Sequence, residues 1–139
     1  MIAEYLHSFV LHMNVIVRRV ASDNNLSLSQ YFALTNISSS GISMSELSTI
    51  LGLDNSTLTR NINILIDRDL VLKEKSNVDR RGYIITLSNL GSIVVSVLET
   101  QIETILDELI DSVDSESKQD FIDMIEAVNW NASCYINEL

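Results

Sequence analysis

From Ile2 to Val20 apolar residues recur at positions 2, 6, 9, 13, 17 and 20, a helical stripe broad enough to be buried. Ser27-Leu28-Ser29-Gln30 has capping-box spacing and predicts a second helix from there to about Ile37, ended by Ser38-Ser39-Ser40-Gly41. Ser43-Met44-Ser45-Glu46 repeats the signature and predicts a short third helix closed by Gly52. Asp54 is placed to cap a fourth. In that helix Leu58, Ile62, Leu65 and Ile66 fall on one face. A step of about 100° per residue gathers Ser56, Thr57, Arg60, Asn63 and Asp67 on the other. Two helices joined through Gly52-Leu53-Asp54-Asn55 form a helix-turn-helix pattern.

The period then changes. Leu70–Ser76 and Gly82–Ser88 are short, β-branched and roughly alternating, with Asn77-Val78-Asp79-Arg80-Arg81 between them. They predict two antiparallel strands whose loop is long enough to project. Helix resumes at Ser88, with Val94, Leu98, Ile102, Ile105 and Leu109 in register to about Val113. A last stripe, Phe121, Ile125, Val128, Ala132 and Tyr135, follows the polar break at 114–118. The expected fold is mainly α with a small β-wing. The first and last helices carry more apolar face than one small winged-helix unit can cover, and a second copy is the simplest cover for it.

Composition sharpens this reading. The 139 residues suit one domain with a real core, and the absence of Pro with only four Gly suits long helices joined by short turns. A lone cysteine, Cys134, excludes an internal disulfide and fits a reducing cytoplasm. No apolar run is long enough to span a membrane, and the first basic residues follow the N-terminal apolar stretch, the wrong order for a secretory signal. The expected location is cytoplasmic. The net charge of −10 argues at first against a nucleic-acid partner. Its distribution reverses the argument: residues 60–81 hold six Lys or Arg against four acids, whereas residues 82–139 hold one against eleven. The positive charge is a local strip on an acidic body.

Glu46-Leu47, Leu51-Gly52, Ser56-Thr57-Leu58-Thr59-Arg60, Leu65, Leu70-Val71, Asp79-Arg80-Arg81 and Leu87-Ser88-Asn89-Leu90-Gly91 resemble, in order and spacing, the core of the MarR family of transcription factors. The resemblance implies a winged helix-turn-helix lobe at 27–91 and dimerisation helices at 1–25 and 92–139, together one domain over 1–139. It implies a homodimer that binds double-stranded DNA at a pseudo-palindromic operator, a repressor released by a small aromatic or phenolic effector. The helix at 54–68 would enter the major groove and Arg81 the minor groove, with Arg80 on a phosphate and Asp79 orienting the tip. The implied DNA-contacting set is Asn55, Ser56, Thr57, Thr59, Arg60, Asn63, Lys73, Lys75, Asp79, Arg80 and Arg81. The family often has a basic residue where Asn55 stands and more basic wing strands, so fewer phosphates are neutralised here. It usually has Gly where Asp69 stands, which sets Asp69 up for a left-handed cap.

Arginine binds guanine O6 and N7 bidentately and suits the negative potential of a narrow minor groove, which assigns Arg60 and Arg81 their chemistry. An isolated arginine more often solvates a face or pairs with a carboxylate; inside this ordered motif the DNA role outweighs that. His12, Arg19 and Tyr31 are candidate effector contacts. His7 and His12 stand about 140° apart on one helix and lack a third ligand at a suitable spacing, so no metal is expected. Cys134 has no neighbouring positive charge in sequence and reads as inert packing, and Trp130 as core or interface. The acidic helices read as solvated backs. No phosphate loop, nucleophile elbow or acid–base pair points to an enzyme or a cofactor. The competing class is a winged-helix interaction module that has lost DNA binding and sequesters another regulator. The acidity motivates it, and Arg60 and Arg81 oppose it.

Overall fold

The computed structural model describes residues 1–78 and 82–139. Its elements are α1 (Ile2–Asp23), α2 (Leu28–Thr35), β1 (Ile42–Ser43), α3 (Met44–Leu51), α4 (Asn55–Asp67), β2 (Val71–Lys75), β3 (Tyr83–Leu87), α5 (Asn89–Leu109) and α6 (Ser115–Asn137). The chain falls into two compact units, Met1–Ile102 and Glu103–Leu139.

In the first unit both capping boxes form. The Ser27 hydroxyl accepts the Gln30 N–H at 3.1 Å while the Gln30 side chain accepts the Ser27 N–H at 3.0 Å. Ser43 and Glu46 reciprocate at the start of α3, at 3.0 and 3.3 Å. Each box satisfies donors that a helix start leaves free. Gly52 closes α3 at φ 62°, a left-handed position that costs glycine nothing. Asp69 takes the same region at φ 58°, as expected of a residue standing where glycine is usual. Packing then collects Leu34, Leu47, Leu58, Ile62, Leu65 and Ile85 into a fully buried centre. Each such side chain contributes roughly 1.5–3 kcal/mol of burial. α4 sits in the middle of this core, against α2, α3 and β2.

The sheet has three strands in the order β1-β3-β2, all antiparallel, with Ile42 opposite Ile85 and Lys73 opposite Ile85 on the other side. The sequence predicts only two. β1 is two residues long, too short for a periodic signal, and is held by burial of Ile42 and by Gly41 at φ 87°, packed against Ile84 and Thr86. Ser88 starts α5 by accepting the Gly91 N–H at 2.9 Å, and its hydroxyl donates to the Asp69 carbonyl.

The α1 stripe is only half realised within the chain. Val20 and Ala21 are buried, but residues 1–12 are all exposed, including Ile2, Tyr5, Leu6 and Phe9. In the second unit α5 ends at Leu109, a turn earlier than the pattern suggests, and Asp114 caps α6 by accepting the Ser117 N–H at 2.9 Å. No residue of α6 is buried. Trp130 is 70% exposed and Cys134 is exposed, so neither is packed within this chain. Among the described residues no helix is long and apolar enough to cross a membrane.

Candidate nucleic-acid interface

The burial of Leu58, Ile62 and Leu65 fixes the rotation of α4, and that rotation decides what faces outward. Asn55, Ser56, Arg60, Asn63 and Asp67 are exposed, while Thr57 and Thr59 are half-buried. Asn55, Ser56, Thr59, Arg60 and Asn63 line one continuous shallow surface along the helix. The expected outward face is therefore present, with Thr57 turned partly inward. Ile66 is half-buried rather than core, and Asn61, which the pattern did not single out, is buried.

Thr57 is tied back to Asp54, the residue that caps the helix. The Asp54 carboxylate accepts the Thr57 N–H at 2.8 Å, the Thr57 hydroxyl at 2.8 Å and the Ser56 hydroxyl at 2.6 Å. These donors, the Ser56 hydroxyl foremost, hold the Asp54 carboxyl at about 2, well below its ordinary 3.8. Both hydroxyl protons are thus committed to Asp54. Ser56 and Thr57 can meet DNA only as acceptors while the cap is intact, which suits the exocyclic amino groups of adenine and cytosine and not phosphate oxygens.

A second groove, of about 690 Å³, separates α4 from the sheet and is lined by Asn55 and Thr59 on one side and Lys73, Tyr83 and Ile84 on the other. Lys73 lies on the sheet face that carries Lys75 and Tyr83, and its ammonium sits 4.3 Å above the centre of the Tyr83 ring. Lys75 is exposed. Glu46 also lines this groove, but its carboxylate is turned to the Ser43 N–H and hydroxyl. Asp79, Arg80 and Arg81 lie outside the described residues.

Arg68 belongs to the positive strip by sequence but not by position. At the end of α4 its guanidinium donates to the Asn25 carbonyl at 2.6 Å and the Asn24 carbonyl at 3.4 Å. Asn24 in turn donates to Gln101 of α5 at 2.8 Å and to the Val20 carbonyl at 2.8 Å. Arg68 is a clamp between helix ends. The sequence could not show this, since its acceptors are backbone atoms more than forty residues away.

The effector candidates are not drawn together by the grooves beside α4. His12 and Arg19 are exposed on α1. Tyr31 is buried on α2 with its ring edge-on to Phe32 at 5.4 Å, and burial, then the Glu99 carboxylate of α5, raises its hydroxyl pKa.

Comparison with known proteins gives a consistent picture. The MarR family model matches residues 26–83, the segment from the start of α2 into β3. The Staphylococcus aureus (strain Newman) HTH-type transcriptional regulator TcaR is 24% identical over 140 residues, covering 96% of this chain and 93% of that protein. The crystal structure of MarR superposes with a TM-score of 0.83 at 23% identity, over 98% of this chain and 94% of that one. A MarR protein from Peptoclostridium difficile DA00132 does so with a TM-score of 0.81 at 25% identity, over 99% and 90%.

Proposed function

We propose that this chain is a winged helix-turn-helix DNA-binding regulator of the MarR family, a homodimeric, effector-responsive repressor acting on a pseudo-palindromic operator. The observation that carries the proposal is the outward face of α4. A helix whose core side is fixed by three fully buried residues presents Asn55, Ser56, Thr59, Arg60 and Asn63 together, beside a groove that holds Lys73. Side chains of these types on one rigid helix suit base edges in a major groove. Arg60 takes guanine, Asn63 takes adenine, and Lys73 and Lys75 take phosphates. Arg81 enters the minor groove from the wing tip, with Arg80 on the backbone and Asp79 orienting the pair.

The dimer rests on apolar surface the chain leaves open. The first half of α1 exposes Tyr5, Leu6, Phe9 and Val10. α6 exposes Phe121, Ile122, Ile125, Val128 and Ile136 along its length. Surfaces of this kind, contiguous along whole helices, are what an obligate homodimer covers. In this assignment residues 1–25 and 92–139 assemble the dimer and 27–91 read DNA. The effector is a small aromatic or phenolic compound meeting Tyr31, with His12 and Arg19 on the neighbouring helix.

Selection from random duplexes at low salt tests the reading. The expected product is an inverted repeat with half-sites about one helical turn apart. Enrichment of no motif would favour the protein-sequestering module instead.

A further inference from the structure

Lys73 and Tyr83 are not directly opposed. Lys73 pairs with Ile85 and Tyr83 with Lys75, so the two are diagonal neighbours on one face of the wing. At that spacing an aromatic ring and a long side chain reach each other, and here the ammonium stands 4.3 Å from the ring centroid. Lys73 is half-buried and Tyr83 is 37% exposed. Both line the groove that α4 borders with Asn55 and Thr59.

We propose that Tyr83 is a positioning residue: its ring holds the Lys73 ammonium in the groove between α4 and the wing, ready for a backbone phosphate of the bound duplex. This rests on the reading of the chain as a DNA-binding regulator. A lysine side chain carries much rotamer entropy, part of which is lost whenever the ammonium is fixed on a phosphate. A ring that already restricts the stem removes part of that loss before DNA arrives. An aromatic face also has an advantage over a carboxylate: it attracts the cation without neutralising it, so the full charge stays available to the duplex. In a chain of net charge −10 with nine Lys and Arg, each correctly placed cation counts for more. Glu46, the acid among the described residues lining the same groove, accepts instead from the Ser43 N–H and hydroxyl.

The test uses the intact protein, a mixed-sequence duplex about three helical turns long and fluorescence anisotropy across a salt series. Tyr83→Val keeps strand preference but removes the ring; Tyr83→Phe keeps the ring. Tyr83→Val is expected to bind about two- to five-fold more weakly with an unchanged salt slope, since the charge is still present. Tyr83→Phe should bind as wild type. Lys73→Ala should lower the slope of log affinity against log salt by about 0.9, and adding Tyr83→Val to it should cost nothing further. In the free protein, the Lys73 ε-methylene proton signals should be shifted upfield by the ring, and the shift should vanish in Tyr83→Val but persist in Tyr83→Phe. Equal binding by Tyr83→Val and wild type, or an equal loss in the Lys73→Ala background, would overturn the inference while leaving the DNA reading in place. A wild-type protein that binds no duplex overturns both, and the upfield shift would then mark a purely structural pair.

Discussion

Replacing Gly91 by alanine tests how α5 is seated against Leu70, the residue before β2. Gly91 closes the Leu87-Ser88-Asn89-Leu90-Gly91 motif and is buried in the first turns of α5. A Cβ there would stand 1.9 Å from the Leu70 carbonyl oxygen, 2.9 Å from its carbon and 3.4 Å from the Leu70 Cα. These are backbone atoms, so no rotamer change relieves the clash. Leu70 cannot simply withdraw either: its side chain is buried, its N–H donates to the Leu65 carbonyl at 2.9 Å and its carbonyl accepts the Ser88 N–H at 3.0 Å. α5 must therefore lift by more than an ångström, at a cost of about 1–3 kcal/mol or somewhat more for an overpacked core. Alanine returns up to about 1 kcal/mol of helix propensity. A backbone clash this short puts the cost at the upper end, about 3 kcal/mol, so the expected net destabilisation is about 2 kcal/mol, read as a lower urea midpoint at unchanged m-value. Both proteins must be at equal protomer concentration, because an assembling protein's stability depends on it. Gly52→Ala is the control. No atom lies within 4 Å of its Cβ position, so it meets only the left-handed backbone penalty of about 1–2 kcal/mol. If Gly91→Ala were as stable as wild type, or more so, the close approach of α5 to Leu70 would be wrong.

Four further outcomes follow from particular residues. Asp69→Gly should raise stability by about 0.5 kcal/mol, because relief of the left-handed strain outweighs the extra freedom glycine has in the unfolded chain. Arg68→Ala should lower stability by about 1–2 kcal/mol through its lost bonds to the Asn24 and Asn25 carbonyls, with DNA specificity unchanged; Arg60→Ala should do the reverse, keeping stability while weakening binding by about 1–3 kcal/mol and relaxing the preference for guanine at one position. Asp54 has a folded pKa of about 2 against an ordinary 3.8, so its contribution is complete above the higher value and is lost as pH falls toward the lower. Unfolding curves between pH 5 and 2 should accordingly fall less steeply for Asp54→Asn, and parallel acid limbs would refute the cap. Arg81→Ala should weaken binding to the selected site strongly and to random DNA less.

The local signals were legible in the sequence because they are local. Capping boxes at Ser27 and Ser43, the Gly52 closure, the Asp54 cap and the inward set of α4 all depend on residues within four positions of one another. What the sequence did not show depends on distant partners. β1 is two residues long and is held by β3, more than forty residues away. Arg68 counts as positive strip until its acceptors on the α1–α2 turn are seen. Ser56 and Thr57 read as free hydroxyls until Asp54 claims both protons. Lys73 and Tyr83 become a pair only once the strand register is known. The apolar stripes of α1 and α6 are legible as stripes, but within one chain they remain mostly uncovered, since periodicity says that a face is apolar and not what covers it.

The central claim is that α4 reads bases and does so twice, from two copies related by symmetry. Repeating the random-duplex selection with Asn63→Ala tests it most directly. Asn63 is exposed on the outward face; under the proposed function its loss should relax preference at one position in each half-site, symmetrically, and leave the rest of the inverted repeat intact. A motif identical to that of the wild type would contradict the claim that this face of α4 enters the major groove.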